Sequence, residues 1–124
     1  MREIKLRGYN KINGTMEKPW SIGTEVPIII PKWAWNISPS DYIIMQFTGS
    51  YDINKNEIYE GDILEVAHDE IGSPIPNSFV GSVKFMEGGF WVDDNCTAGF
   101  PVWQEITEWS VIGNIYENQK LLSK

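Results

Sequence analysis

Residues 43–64, IIMQFTGSYDINKNEIYEGDIL, place two apolar runs on either side of a polar, turn-rich insert, and Glu60-Gly61-Asp62 cuts the second run. A stretch built this way folds as two β-strands and their connection. Asp52 and Asn54 are short polar residues that bond their own backbone as Asx turns. Ile58 and Ile63 alternate with polar neighbours only after a shift at Gly61, and a glycine inside a strand commonly marks a bulge that bends it around a corner. Glu60-Gly61-Asp62 is therefore expected as a bend in a sheet, not as a place where reactants meet.

The flanking segments extend the strand pattern. Ile4 and Leu6 alternate with Lys5 and Arg7, and Asn10-Lys11-Ile12-Asn13-Gly14 supplies a turn in which Asn-Gly tolerates positive φ. An N-terminal hairpin returning through 15–20 is predicted. Further strands are predicted at 42–47, 58–68, 79–85, 90–94 and 108–113. In Met86-Glu87-Gly88-Gly89 the two glycines are expected to take φ > 0 and close a hairpin. Residues 69–78 and 95–101 read as polar loops. Aromatic residues make up 13% of the chain, and large rings suit a pleated, half-buried surface, so the base reading is all-β. Five short strands at this spacing suggest a small barrel, with 115–122 as a short helix packed on it.

Residues 19–39 hold four of the seven prolines. Pro27 and Pro31 bracket Ile28-Ile29-Ile30, which confines that run to an edge strand or irregular extended chain. Trp33 and Trp35 lie two apart and point to one side of an extended chain, so they need cover from elsewhere. Ser38-Pro39-Ser40-Asp41 reads as a turn, or as one helical turn capped by Ser38.

A chain of 124 residues fits one domain with one core. Cys96 is the only cysteine and His68 the only histidine, which excludes an intrachain disulfide and leaves a zinc site short of ligands. No cofactor is expected. MREIKLRGY has no apolar core like that of a signal peptide, and no stretch approaches the ~20 apolar residues of a membrane helix, so a soluble cytoplasmic protein without a membrane partner is expected. Charge is uneven: six basic residues face three acidic ones over 1–32, a balance of +3, and four face fourteen in the remainder, a balance of −10. Such asymmetry lets the N-terminal part of one copy meet the acidic surface of another, or else leaves two solvated faces on one monomer.

A resemblance emerges from scattered pieces. These are Met1-Arg2-Glu3-Ile4-Lys5-Leu6-Arg7, Met45-Gln46-Phe47-Thr48-Gly49, Asp52 and Asn54 leading into Glu57-Ile58-Tyr59-Glu60-Gly61-Asp62-Ile63, then Gly81, Val83 and Phe85, and finally 111–118, VIGNIYEN. In order and content they resemble the YopX family of small phage and prophage proteins. The resemblance implies a β-rich fold with an SH3-like barrel in its C-terminal part, oligomers, and no established biochemical activity. It offers no catalytic residue to carry over. Departures fall at Leu6, Tyr9, Ser50, Lys55 and Gln119. Lys55 stands where glycine is common, which bears on the tightness of the 50–57 turn.

The polar residues offer further chemistries. Asp52-x-Asn54-x-Asn56 mimics the opening of a calcium loop, but Glu57 occupies the position that needs glycine and Ile63 the position that needs a bidentate glutamate. Glu60, Asp62 and Glu65 with Asp93 and Asp94 offer carboxylates for a metal-dependent phosphodiesterase, although alternation sends Glu65 to the opposite side of a regular strand. His68, beside Asp69 and Glu70, reads as exposed rather than as a general base. A single-stranded nucleic-acid face is the more serious rival. It combines Arg2, Lys5, Arg7 and Tyr9 with the tryptophans, against an acidic overall charge.

The resulting expectation is one domain over 1–124, with a hairpin and an irregular Pro/Trp segment over 1–41 and an SH3-like barrel part over 42–124. Its function is expected to be non-enzymatic: a self-associating protein-interaction module whose contacts are Ile28, Ile29, Ile30, Trp33 and Trp35, with a host or phage protein as a further partner. The nucleic-acid face and the Glu60/Asp62/Asp93 phosphodiesterase stand as alternatives.

Overall fold

The described residues of a computed structural model form ten strands and one 3-10 turn, with no α-helix among them. They are 4–17, 19–22, 41–69, 75, 79–94, 99–103 and 107–122. The expected contact residues Ile28, Ile29, Ile30, Trp33 and Trp35 lie outside them, as do Arg2, Ser38, Cys96 and the carboxylate neighbour Glu70.

The predicted N-terminal hairpin is present. Strand β1 (Ile4–Asn10) turns through 11–14 into β2 (Thr15–Met16), with Tyr9 opposite Met16. The Asn10 side-chain oxygen accepts the Ile12 and Asn13 amides at 2.9 and 3.2 Å, its carbonyl accepts Gly14 N at 2.8 Å, and Gly14 takes φ 69°. The return strand then slips by one residue, since β3 (Trp20–Ile22) resumes on β1 with Leu6 opposite Trp20. Pro19, which has no N–H for the ladder, falls in that break.

Strand β4 (Tyr42–Tyr51) pairs antiparallel with β1, and it is longer than the 42–47 expected because 48–51 run on toward β5 (Glu57–Tyr59). The single strand predicted over 58–68 is two, β5 and β6 (Asp62–Asp69), parted at Glu60-Gly61 with Gly61 at φ 83°. The bend read from the sequence is there, and it is sharp enough to end a strand.

Strands β7 (Val80–Met86), β8 (Gly89–Asp93), β9 (Gly99–Pro101) and β10 (Thr107–Asn114) complete a second antiparallel sheet of order β10-β6-β7-β8-β9. It curls into a half-barrel, the form taken by the small barrel the sequence suggested. Four expectations change in detail. Strand β9 lies in a predicted loop; its Phe100 packs on the core. Ile75, expected in a polar loop, is 3% exposed and belongs to the core. The predicted helix over 115–122 is a single 3-10 turn, Gln119–Leu122. In the β7–β8 hairpin Met86 pairs with Gly89, so the two positive φ values fall on Glu87 and Gly88 as in a type I′ turn, not on the glycine pair.

The chain divides into two compact units, Met1–Phe47 and Thr48–Lys124. Among the described residues of the first, Met45 and Phe47 are buried apolar side chains. In the second, alternate positions of β6, β7 and β8 send Leu64, Val83, Phe90 and Val92 into one cluster with Ile58, Phe79, Val102 and Trp109. The Phe79 ring sits edge-on to Phe100 at 5.0 Å and tilted against Trp109 at 6.2 Å.

Candidate interaction cleft

The turn after β4 is organised by one side chain. Asp52 is 5% exposed, and its Oδ1 accepts the amides of Asn54 at 2.9 Å and Asn56 at 2.8 Å. Its Oδ2 accepts the Asn56 side-chain amide at 3.1 Å and, from β10, Val111 N at 3.0 Å. Burial alone would push the carboxyl up; the bonds from Val111, Asn56 and Asn54 stabilise the ionised form more, and the net direction is downward. Two backbone bonds, Asp52 N to Asn56 O at 2.9 Å and Ile53 N to Trp109 O at 2.8 Å, close the turn and tie it to β10. The expected Asx turns are thus present, and the aspartate also joins two distant parts of the chain. Lys55 sits at φ 69° where glycine would be unstrained, yet the turn remains tight.

This locked turn forms one wall of a cleft of about 450 Å³ within the second unit. Val102 and Trp103, just after β9, also line it, and the start of β10, including Thr107, Glu108 and Trp109, completes the lining. Tyr51, Ile53 and Trp103 on its rim are 55%, 43% and 54% exposed. Trp103 is held edge-on against Trp91, with ring centroids 5.6 Å apart. A Cβ on Gly89 would come within 2.8 Å of the Trp103 ring, so the second glycine of the hairpin serves close packing rather than turn geometry. Exposed Glu108 and Lys55 supply charge of both signs. The sequence reading missed this site, because its residues come from three separated loops and strand ends with no shared periodicity.

Asp62 is 1% exposed, and its Oδ2 accepts Tyr59 N at 2.8 Å across the Glu60-Gly61 bend. Asp93 lies 3.5 Å from the Lys84 ammonium. Glu60 sits in the turn itself, and among the described residues no three His, Cys, Asp or Glu side chains gather in a way that would hold a metal. Lys5, Arg7 and Tyr9 are half-buried. Register puts Arg7 opposite buried Met45, whose sulfur is 3.8 Å from the guanidinium, while the Lys5 ammonium stands 5.8 Å from the centroid of buried Phe47. These side chains share a sheet face with Met45 and Phe47.

A family model described as YopX protein matches residues 6–123. The chain belongs to the YopX family. A solved structure, protein EF1440 from Enterococcus faecalis, is similar in fold, with 24% identity, a TM-score of 0.58, and 97% of this chain and 98% of that one covered. No curated protein matches the chain.

Within this YopX chain the signature pieces act as backbone locks. Gly61 N donates to Val83 O at 2.9 Å, and Gly61 O accepts Ile115 N at 2.8 Å, so the bend joins β7 to the C-terminal turn. The Asn114 side-chain oxygen accepts Tyr116 N at 3.0 Å and Glu117 N at 2.9 Å, and its amide donates to Glu117 Oε1 at 2.8 Å. Gly113 is required because a Cβ there would lie 2.6 Å from Asn118 Oδ1, which accepts Asn114 N at 3.2 Å.

Proposed function

We propose that this YopX protein is a non-enzymatic, self-associating protein-interaction module of the phage and prophage type, acting in the cytoplasm of a bacterial host. One observation carries the reading: Tyr51, Ile53 and Trp103, each at least 43% exposed, ring a single cleft whose wall is already locked by Asp52. Large apolar side chains held in water around one concavity mark a surface that gains by being covered. The uneven charge supports the same reading, since an acidic second unit attracts a more basic first unit of another copy. The Pro-bounded run Ile28-Ile29-Ile30, with Trp33 and Trp35, belongs to the proposal as further contact surface.

Light scattering and sedimentation velocity at micromolar concentration test it. A dimer or larger assembly is expected; a strict monomer overturns self-association. The non-enzymatic half expects no saturable heat on titration with Mg²⁺ or Mn²⁺, and a saturable metal heat overturns that half.

A further inference from the structure

The first unit carries an exposed apolar tip. Ile12, at the tip of the β1–β2 hairpin, is 72% exposed, the most exposed large apolar side chain among the described residues. Nothing in the hydrogen bonding of the turn needs an apolar residue there, because Asn10 and Gly14 supply its geometry. Lys11 N also donates to Asp41 O at 2.7 Å, so the tip is held from both sides. Its neighbours Lys11, Asn13 and Gly14 are exposed and present a cation, an amide and a bare backbone beside the isoleucine.

We infer that the Ile12 hairpin tip of one copy seats in the Tyr51, Ile53 and Trp103 cleft of a second copy. This rests on the self-association reading above and names its contact. Charge favours it at two levels. Lys11 beside Ile12 meets exposed Glu108 on the cleft. The unit bearing the tip has six basic and four acidic residues, whereas the unit bearing the cleft has four basic and thirteen acidic ones. Both partners are rigid before they meet, the tip through Asn10 and the cleft wall through Asp52, so little ordering opposes association. Tip and cleft are different surfaces, so the contact either repeats reciprocally about a two-fold axis in a dimer or runs head-to-tail through a ring or open chain.

The test uses three full-length variants, Ile12→Asp on the tip and Ile53→Asp and Trp103→Ala on the cleft, each checked for an unchanged far-UV spectrum. Ile53→Asp is included because Trp103→Ala also strips a partner from Trp91. Sedimentation is expected to show self-association weakened at least ~10-fold in Ile12→Asp and in Ile53→Asp. Mixing those two variants is expected to restore a 1:1 species, because the tip variant keeps an intact cleft and the cleft variant an intact tip. If the unaltered chain assembles and these variants assemble equally well, or if their mixture forms no 1:1 species, the inferred contact is wrong while self-association stands. If the unaltered chain does not assemble, both readings fall together.

Discussion

Asp52 shows how much a single side chain does here. Its carboxylate accepts four hydrogen bonds, one from a strand 59 residues away in sequence. Removing it leaves four donors to find other partners. Asp52→Ala is expected to lower unfolding free energy by roughly 3 kcal/mol in urea titrations. The carboxyl is held below its ordinary value of 3.8, so the folded state binds its proton less readily than the unfolded one. The stability it contributes is complete above that ordinary value and fades as pH falls through the lower folded value. Urea midpoints measured in steps from neutral pH downward should therefore drop more steeply below about pH 4 for the native chain than for Asp52→Asn. Three residues on, Lys55 holds a left-handed conformation that costs a side-chain-bearing residue roughly 1 kcal/mol. Lys55→Gly is expected to raise stability by roughly 0.5 kcal/mol, the relief being partly offset by the greater freedom of glycine in the unfolded chain. The carboxylates and glycines of the resemblance were legible as turn chemistry, because Asx and positive-φ preferences are local. That Asp52 also bonds Val111 was not, since a contact across 59 residues leaves no local mark.

The elements are governed by where strands must stop. Glu60-Gly61 ends β5, starts β6, and is anchored to both Val83 and Ile115, which makes the bend a junction of the half-barrel. Asn114 does the corresponding work after β10, capping the turn that leads to Gln119–Leu122. Asn114→Ala is expected to cost about 2 kcal/mol and to speed amide exchange at Tyr116 and Glu117 ahead of the core strands, as read by hydrogen exchange. In the β7–β8 hairpin, Gly89→Ala sets a methyl against the Trp103 ring. A loss of roughly 1–2 kcal/mol is expected, together with a changed near-UV signal as Trp103 leaves Trp91. Sequence reasoning located this hairpin but assigned its positive φ values one residue late, because either glycine satisfies the turn and only the Met86–Gly89 pairing decides between them. Strand β9 was missed for a related reason. Three residues ending in proline carry too little pattern to stand out, and β9 forms by pairing with β8.

At the scale of the whole molecule, the proposed self-association draws on the division into a more basic Met1–Phe47 and a strongly acidic Thr48–Lys124. If opposite charges on two copies drive their meeting, association should weaken as salt rises. Raising ionic strength from 0.05 to 0.5 M shortens the screening length from roughly 14 to roughly 4 Å and is expected to raise the dissociation constant severalfold by sedimentation. A contact held by apolar burial alone would be unchanged or strengthened. The β character, the turn at each signature motif and the charge asymmetry are legible in the chain alone, because they follow from φ preferences, period-two alternation and composition, which need no contact between distant segments. Folding in three dimensions is what brings Tyr51, Ile53 and Trp103 to one rim, makes Asp62 a buried cap for Tyr59 N, and sets Lys5 and Arg7 on the face of Met45 and Phe47. Those outcomes depend on how β4 pairs and how the second sheet curls, and pairing between distant segments is settled by packing that no local stretch of sequence contains.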